Sequence, residues 1–379
     1  MNEWKNIKIG DVGKIVTGST PPTSDKENYG NDYSWVSPAD LGKTKYIENT
    51  LTKLSKKGFD KTRKIPAKSI LVTCIGSTIG KMGMTKIEMS TNQQINSIIV
   101  NKEVYDENFI YYCINYNFPK FLNKIASQAV PIISKSEFEK LEIKAPSLVE
   151  QIKIGTILNL LDKKIELQSK KIEALKLYKK GLLISCFKDK IRNTSIKELI
   201  FIGKAGGTPK STIQEYYDGN IPFLSISDIS GQNKYITYTE KKVSKKGLNS
   251  SSAWIVPKNS VILSMYASYG LPCINKIELC TSQAMYSMIF KDNVINEYVY
   301  YYLFYLNQIK FYDSLVSTGT QPNLNADKIN KIKIYLPTKE EQIHISNNFQ
   351  NTDKKINLEF KKLNKLQKLK KGLMQSMFV

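Results

Sequence analysis

The chain repeats itself. Thr20-Pro21 returns as Thr208-Pro209, Lys56-Lys57-Gly58 as Lys245-Lys246-Gly247, and Glu150-Gln151-Ile152 as Glu341-Gln342-Ile343. The offset stays between 188 and 191 residues, so few insertions separate the copies. A duplicated chain of 379 residues has room for two like domains, and two like domains in one polypeptide can be related by an internal two-fold. Such a molecule suits a two-fold target, of which duplex DNA is the commonest for a basic protein. The charge agrees: 56 Lys+Arg against 34 Asp+Glu give +22. That balance points to polyanions, nucleic acid first and an anionic membrane surface second. An AT-biased genome rich in lysine codons is the competing account of the charge.

Each copy reads as a mixed part followed by a helical part. In the first, the short apolar runs Ile70–Ile75 and Ile95–Val100 have the length and β-branched content of buried strands. The second copy answers with Val261–Met265 and Ala284–Phe290. Tyr105–Ile125 and Tyr298–Tyr312 carry Tyr and Phe at helical spacing, which predicts core-facing helices rather than base-stacking platforms.

The helical parts begin after Pro146 and Pro337. Ser147 and Thr338 stand as N-caps, with Glu150 and Glu341 three residues on in the capping-box position. An apolar stripe then runs Ile154, Leu158, Leu161, Ile165, Ile172, Leu175, Leu182, and in the second copy Ile345, Phe349, Ile356, Leu363, Leu366, Leu373. Steps of four and three define a coiled-coil seam. A helix from Ser147 to Phe187 is about 60 Å long at 1.5 Å per residue, too long for one small domain to cover, so the two helices are expected to pair antiparallel. Gln168 and Glu359 take polar seam positions near the midpoints and are expected to face each other and fix register. The doubled lysines at 163–164, 170–171, 354–355 and 361–362 fall off the seam.

Signatures of catalysis are missing. Thr20-Pro21-Pro22-Thr23 lacks the acid or amide and the aromatic residue of a base-methylating motif. Gly203–Gly207 has the wrong spacing for a dinucleotide, and Ile75–Met82 lacks the leading glycine and the Ser/Thr after Lys81 of a phosphate loop. The odd set of five cysteines without C-x-x-C spacing reads as buried free thiols in a reducing cytoplasm, and a single histidine, His344, argues against a metal site. The amino terminus does not resemble a signal peptide, and no run is long enough for a membrane span.

DNA contacts are sought in polar, loop-prone segments that the copies share. The candidates are Ser19, Thr20, Ser77, Thr78, Gln93, Gln94 and Gln128 in the first copy, and Thr208, Tyr266, Ser268, Tyr269, Gln283, Thr318 and Gln321 in the second. Hydroxyls and backbone N–H groups serve phosphates, and amides serve adenine edges. Lys43, Lys81 and Lys210 are candidates to hold the phosphate backbone. The competing reading is that shared Gly, Ser and Thr residues build turns. Ser37–Leu41 against Ser225–Ile229 is another such pair. Positions that differ within matching surroundings are the better base readers: Gln94 against Ala284, Thr78 against Ser268 or Tyr269, and Gln128 against the region of Thr318.

Taken over nearly its whole length, the chain resembles the specificity (S) subunits of type I restriction–modification systems. The resemblance is carried by Ala145–Ile152 with Leu161-Asp162, by Lys180–Leu183 ending in Phe187, and by their repeats Leu336-Pro337, Glu341–Ile343, Asp353 and Lys371–Met374 ending in Phe378. The openings Val16–Pro21 and Lys204–Pro209 match as well, while Thr352 departs from Leu161. The resemblance implies an α+β fold with two mixed α/β target-recognition domains, residues 1–146 and 191–337. Two long antiparallel coiled-coil helices, residues 147–190 and 338–379, would follow them about an internal pseudo-two-fold. It further implies a non-catalytic cytoplasmic subunit that reads a bipartite DNA target. Two modification (methyltransferase) subunits that bind S-adenosylmethionine would be its partners, and ATP- and Mg-dependent restriction subunits could join the complex. The chain itself would hold no cofactor. The alternatives are a stand-alone sequence-specific DNA-binding regulator and a coiled-coil adaptor.

Overall fold

The computed structural model describes residues 4–125, 132–266, 268–316 and 323–378. They fall into two units, one of Met1–Ser169 with Lys361–Val379 and one of Lys170–Phe360. The fold is α+β, and both units follow one plan.

In the first unit a five-stranded sheet runs in the order Gly13–Thr17, Ile95–Val100, Ile70–Thr73, Met82–Thr85, Tyr46–Ile47. Its neighbours are antiparallel except the last pair, where Tyr46 lies beside Met84 in parallel. The second unit repeats the order as Ile200–Ala205, Met285–Phe290, Val261–Ser264, Pro272–Asn275, Tyr235–Ile236, again with only the last pair parallel. The inner strands Ile70–Thr73 and Val261–Ser264 are buried at every residue. This is why they read as unbroken apolar runs instead of alternating ones. A smaller sheet flanks each of these, centred on Tyr29–Val36 in the first unit and Ile221–Leu224 in the second.

A helix rich in aromatics supplies much of each core. Phe109, Ile110, Tyr112 and Ile114 are fully buried on Glu107–Ile125, as are Tyr298, Tyr301, Tyr302 and Leu303 on Asn296–Gln308. The rings are therefore committed to packing, as their spacing predicted.

The two long helices, Leu148–Phe187 and Lys339–Met377, each give one half to each unit. In the first unit Ile154 and Leu158 share a core with Leu373, Met374 and Phe378, and Asp162 meets Lys370 at 2.5 Å. In the second, Lys171 meets Glu359 at 3.0 Å and Lys179 meets Asp353 at 2.6 Å. Partner numbers fall along one helix as they rise along the other, so the halves run antiparallel within each unit. Phe378 lies against Trp4, Phe109 and Tyr116 in the first unit, and Phe187 against Tyr298, Tyr302 and Phe349 in the second. The helix of one copy thus ends in the core built by the other.

Along the seam, Ile154, Leu158, Leu161, Ile172, Ile345, Phe349 and Ile356 are buried. Ile165, Leu175, Leu363, Leu366 and Leu373 are half-buried. Leu182 is half-buried too, and Leu183 beside it is buried. Gln168 is half-buried in the first unit; Glu359 is buried in the second, where it accepts from Lys171. Thr352, the departure from Leu161, is buried without stranding its hydroxyl, which donates to Asn348 O of its own helix at 2.9 Å. The doubled lysines are exposed.

The repeated Glu-Gln-Ile motif has a structural explanation. Gln151, 2% exposed, accepts from Asp106 N–H at 3.1 Å and donates to Pro146 O at 2.9 Å. Gln342, 1% exposed, accepts from Ile295 N–H and donates to Asn293 O and Pro337 O. One buried amide satisfies backbone groups on both sides of the entry to each long helix, where an apolar residue would leave them unpaired. At the caps, Thr338 Oγ1 accepts from Glu341 N–H at 3.3 Å, whereas Ser147 offers its carbonyl to Glu150 and Gln151.

Candidate nucleic-acid interface

In both units the turn after the first sheet strand is pressed onto the segment before the last. A Cβ on Gly18 would collide with Asn92 O and Thr91 Oγ1, and one on Gly206 with Thr281 O and Thr281 Oγ1. Only glycine allows that approach. It brings Thr20 to Gln93 and Thr208 to Gln283, each hydroxyl donating to the amide oxygen. All four candidates therefore form two equivalent pairs, with Gln93, Thr208 and Gln283 exposed and Thr20 half-buried.

Ser19 serves the same turn from within. Its Oγ accepts from Arg63 N–H at 3.0 Å and its carbonyl accepts from Trp35 Nε1 at 3.0 Å. Arg63 also donates from Nη1 to Thr17 O at 2.7 Å. No motif marks Arg63 in the sequence. In the second unit Ser252 takes over, donating to Gly206 O at 3.3 Å.

Gln94 lies one residue on and faces a different neighbour. Its amide oxygen accepts from Asn92 Nδ2 at 2.9 Å, and its amide nitrogen reaches Ile75 O at 3.5 Å, at the start of the loop with Ser77 and Thr78. Ser77 is exposed and Thr78 half-buried; the Thr78 carbonyl accepts from Lys81 N–H. Lys81 and Lys43 are exposed, and the Lys81 stem lies beside Gly42. Gln94 thus reaches the start of the loop that carries Ser77 and Thr78, and Lys81 packs beside Gly42, the chain neighbour of Lys43.

The corresponding loop of the second unit is built differently. Tyr266 and Ser268 are exposed, and the Tyr269 hydroxyl donates to Asp313 at 2.9 Å. Ser268 and Tyr269 line a cavity of about 350 Å³ with Asn307, Lys310 and Tyr312. Lys210 is exposed next to Pro209, whose carbonyl accepts from Tyr217 OH at 2.7 Å. Gln128, Thr318 and Gln321 lie outside the described residues.

Two repeated segments resolve into scaffolding. Ser37 Oγ donates to Asp40 at 2.7 Å and Ser225 Oγ to Asp228 at 2.6 Å, while the second carboxylate oxygen accepts from Leu51 or Glu240 N–H. The Lys-Lys-Gly repeats open short helices capped by Ser55 and Ser244. The thiols lie largely inside the two units. Cys74, Cys113, Cys273 and Cys280 are buried and Cys186 half-buried, and burial pushes Cys74 and Cys113 up to about 12. His344 is exposed beside Asn348. Among the described residues no group of three or more His, Cys, Asp or Glu could hold a metal, and no helix is long and apolar enough to cross a membrane.

This twice-built frame has known counterparts. The type I restriction modification DNA specificity domain matches twice, over residues 1–177 and 188–368. The chain belongs to that family. Over 149 residues it is 38% identical to the HindI specificity subunit of Haemophilus influenzae, an alignment covering 38% of this chain and 32% of the relative. Over 179 residues it is 33% identical to the MjaIX specificity subunit of Methanocaldococcus jannaschii, covering 46% and 41%. The chain thus spans about a third to two-fifths of these two relatives. The MjaVIII specificity subunit of the same archaeon aligns over 98% of this chain and 91% of its own length at 23% identity. Among solved structures, the type I restriction–modification S subunit from M. genitalium superposes with TM-score 0.62 at 17% identity, covering 100% and 96%. A chain from a study of type I R-M complex assembly gives 0.64 at 16% identity, covering 99% and 97%. Both carry the fold.

Proposed function

We propose that this chain is the non-catalytic sequence-recognition subunit of a cytoplasmic type I restriction–modification complex, each unit reading one half of a bipartite DNA target. The observation that carries the reading is the contrast within one frame. Thr20–Gln93 and Thr208–Gln283 are built alike, while Gln94 and Ala284, or Thr78 and Tyr269, differ at matching places. Like pairs suit phosphates, which are the same everywhere; unlike positions suit bases, which are not. The net charge of +22 supports a polyanionic partner.

The long helices would set the spacer between half-sites and dock two modification subunits. Docking is supported by Val149, Leu160 and Leu167, which stand 64%, 59% and 57% exposed on the first of them. The methyl donor, S-adenosylmethionine, would be bound by those subunits, as would ATP by any restriction subunit. Co-expression with the neighbouring methyltransferase tests the reading. A stable complex that methylates adenine is expected. A chain that binds its site alone and does not copurify would be a regulator.

A further inference from the structure

The same four-membered series, Lys–Tyr–Asp–Lys, forms a polar chain through each unit. In the first, Lys45 Nζ donates to Tyr112 OH at 3.1 Å, Tyr112 OH donates to Asp162 at 2.7 Å, and Asp162 pairs with Lys370 at 2.5 Å. In the second, Lys234 Nζ donates to Tyr301 OH at 3.0 Å, Tyr301 OH donates to Asp353 at 2.7 Å, and Asp353 pairs with Lys179 at 2.6 Å. Each tyrosine ring also carries an ammonium near its face, Lys45 at 4.3 Å and Lys234 at 4.2 Å from the centroid. The four members come from four places: the edge-strand entry of the sheet, the aromatic helix, one long helix and the other.

We propose that these two chains are positioning locks, which fix the orientation of each recognition domain on the helix pair and so make the complex discriminate spacer length. The proposal rests on the reading of the helices as the spacer-setting element. Stability alone is a poor reason for the chains. Apolar residues of similar volume would pack the same space at no greater cost, because buried and half-buried charges lose hydration that their pairing only partly returns. What directional hydrogen bonds add is a single permitted orientation, where apolar surfaces can slide. The rim of each chain diverges while the chain itself does not. Asn108 and Asn159 accept from Lys45, whereas the place of Asn108 is taken by Glu297, which accepts from Tyr235 OH at 3.3 Å.

The test uses the complex reconstituted with its modification subunits and duplexes carrying the mapped half-sites at the native spacer or with one added base pair. Tyr112→Phe and Tyr301→Phe keep the rings and remove only the hydroxyls. Each is expected to keep methylating the native duplex while preference over the lengthened one drops about tenfold, the equivalent of one charge-assisted hydrogen bond. Lys370→Met is expected to do the same and Lys370→Arg to retain the preference. A Tyr112→Phe, Tyr301→Phe double variant with lowered melting temperature but undiminished spacer preference would overturn the locks and leave the underlying reading intact. A wild-type complex indifferent to the spacer would overturn that reading, and the locks with it.

Discussion

The two units share a frame and differ in what the frame displays. Sheet order, the parallel edge strand, the glutamine clamps at Gln151 and Gln342 and the terminal phenylalanines occur in both. The loop pairing Gln94 with Ile75 O in the first unit is replaced in the second by one in which Tyr269 donates to Asp313. Arg63 braces the turn after the first strand in one by donating to Thr17 O, Ser252 in the other by donating to Gly206 O. Duplication therefore preserved the parts that set geometry and released the parts that would meet bases. A dimer of identical chains is bound to read identical half-sites; this chain is not.

Exchange of residues 8–146 for the matching domain of a relative breaks the comparison most severely. It is expected to replace one half of the methylated motif entirely and leave the other untouched, as sequencing of modified adenines would reveal. Loss of the shared frame comes next. Phe378→Ala and Phe187→Ala remove buried rings from the first and second unit, and each is expected to cost about 3–5 kcal/mol in denaturant unfolding, with separate transitions marking which unit was weakened. A smaller effect sharpens the reader assignment. Gln94→Ala is expected to lose about 1–3 kcal/mol of discrimination at one base pair of one half-site, measured by competition with substituted duplexes. Gln93→Ala and Gln283→Ala are expected to weaken all duplexes alike.

A last effect, confined to stability and to alkaline pH, concerns the sequestered amines Lys45 and Lys234. Burial pushes the Lys45 ammonium down to about 7, with Asp162 pulling it back and Lys370 adding to the fall; Lys234 is pushed to about 8 by the same cause. An unfolded lysine keeps its proton to about 10.4. Between these values the unfolded chain holds more protons, so this group's contribution to stability rises with pH from about 7 upward, and below about 7 its penalty is fully present. The melting temperature of the wild type is expected to gain on that of Lys45→Met between pH 7 and 9.

Much of the frame was legible because repetition and periodicity are physical signals. Buried strands read as apolar runs, and the seam kept its steps of four and three. The interior polar chains were not legible by that route. Lys45 and Lys234 look like two lysines among many, and their burial depends on elements distant in sequence. A signal was nevertheless present: Lys45-Tyr46-Ile47 recurs unchanged as Lys234-Tyr235-Ile236. The pairing of Thr20 with Gln93 was hidden for a similar reason, since two loop segments 73 residues apart meet only once the sheet has formed. Ser37 and Ser225 show the converse, shared hydroxyls whose partners are their own turns.

One measurement bears most directly on the claim that a single chain carries two unlike readers on one duplicated frame: long-read sequencing of methylated adenines in DNA modified by the reconstituted complex. The expected result is one motif of two dissimilar short halves separated by a constant number of unspecified base pairs. A contiguous motif, or two identical halves, would contradict it.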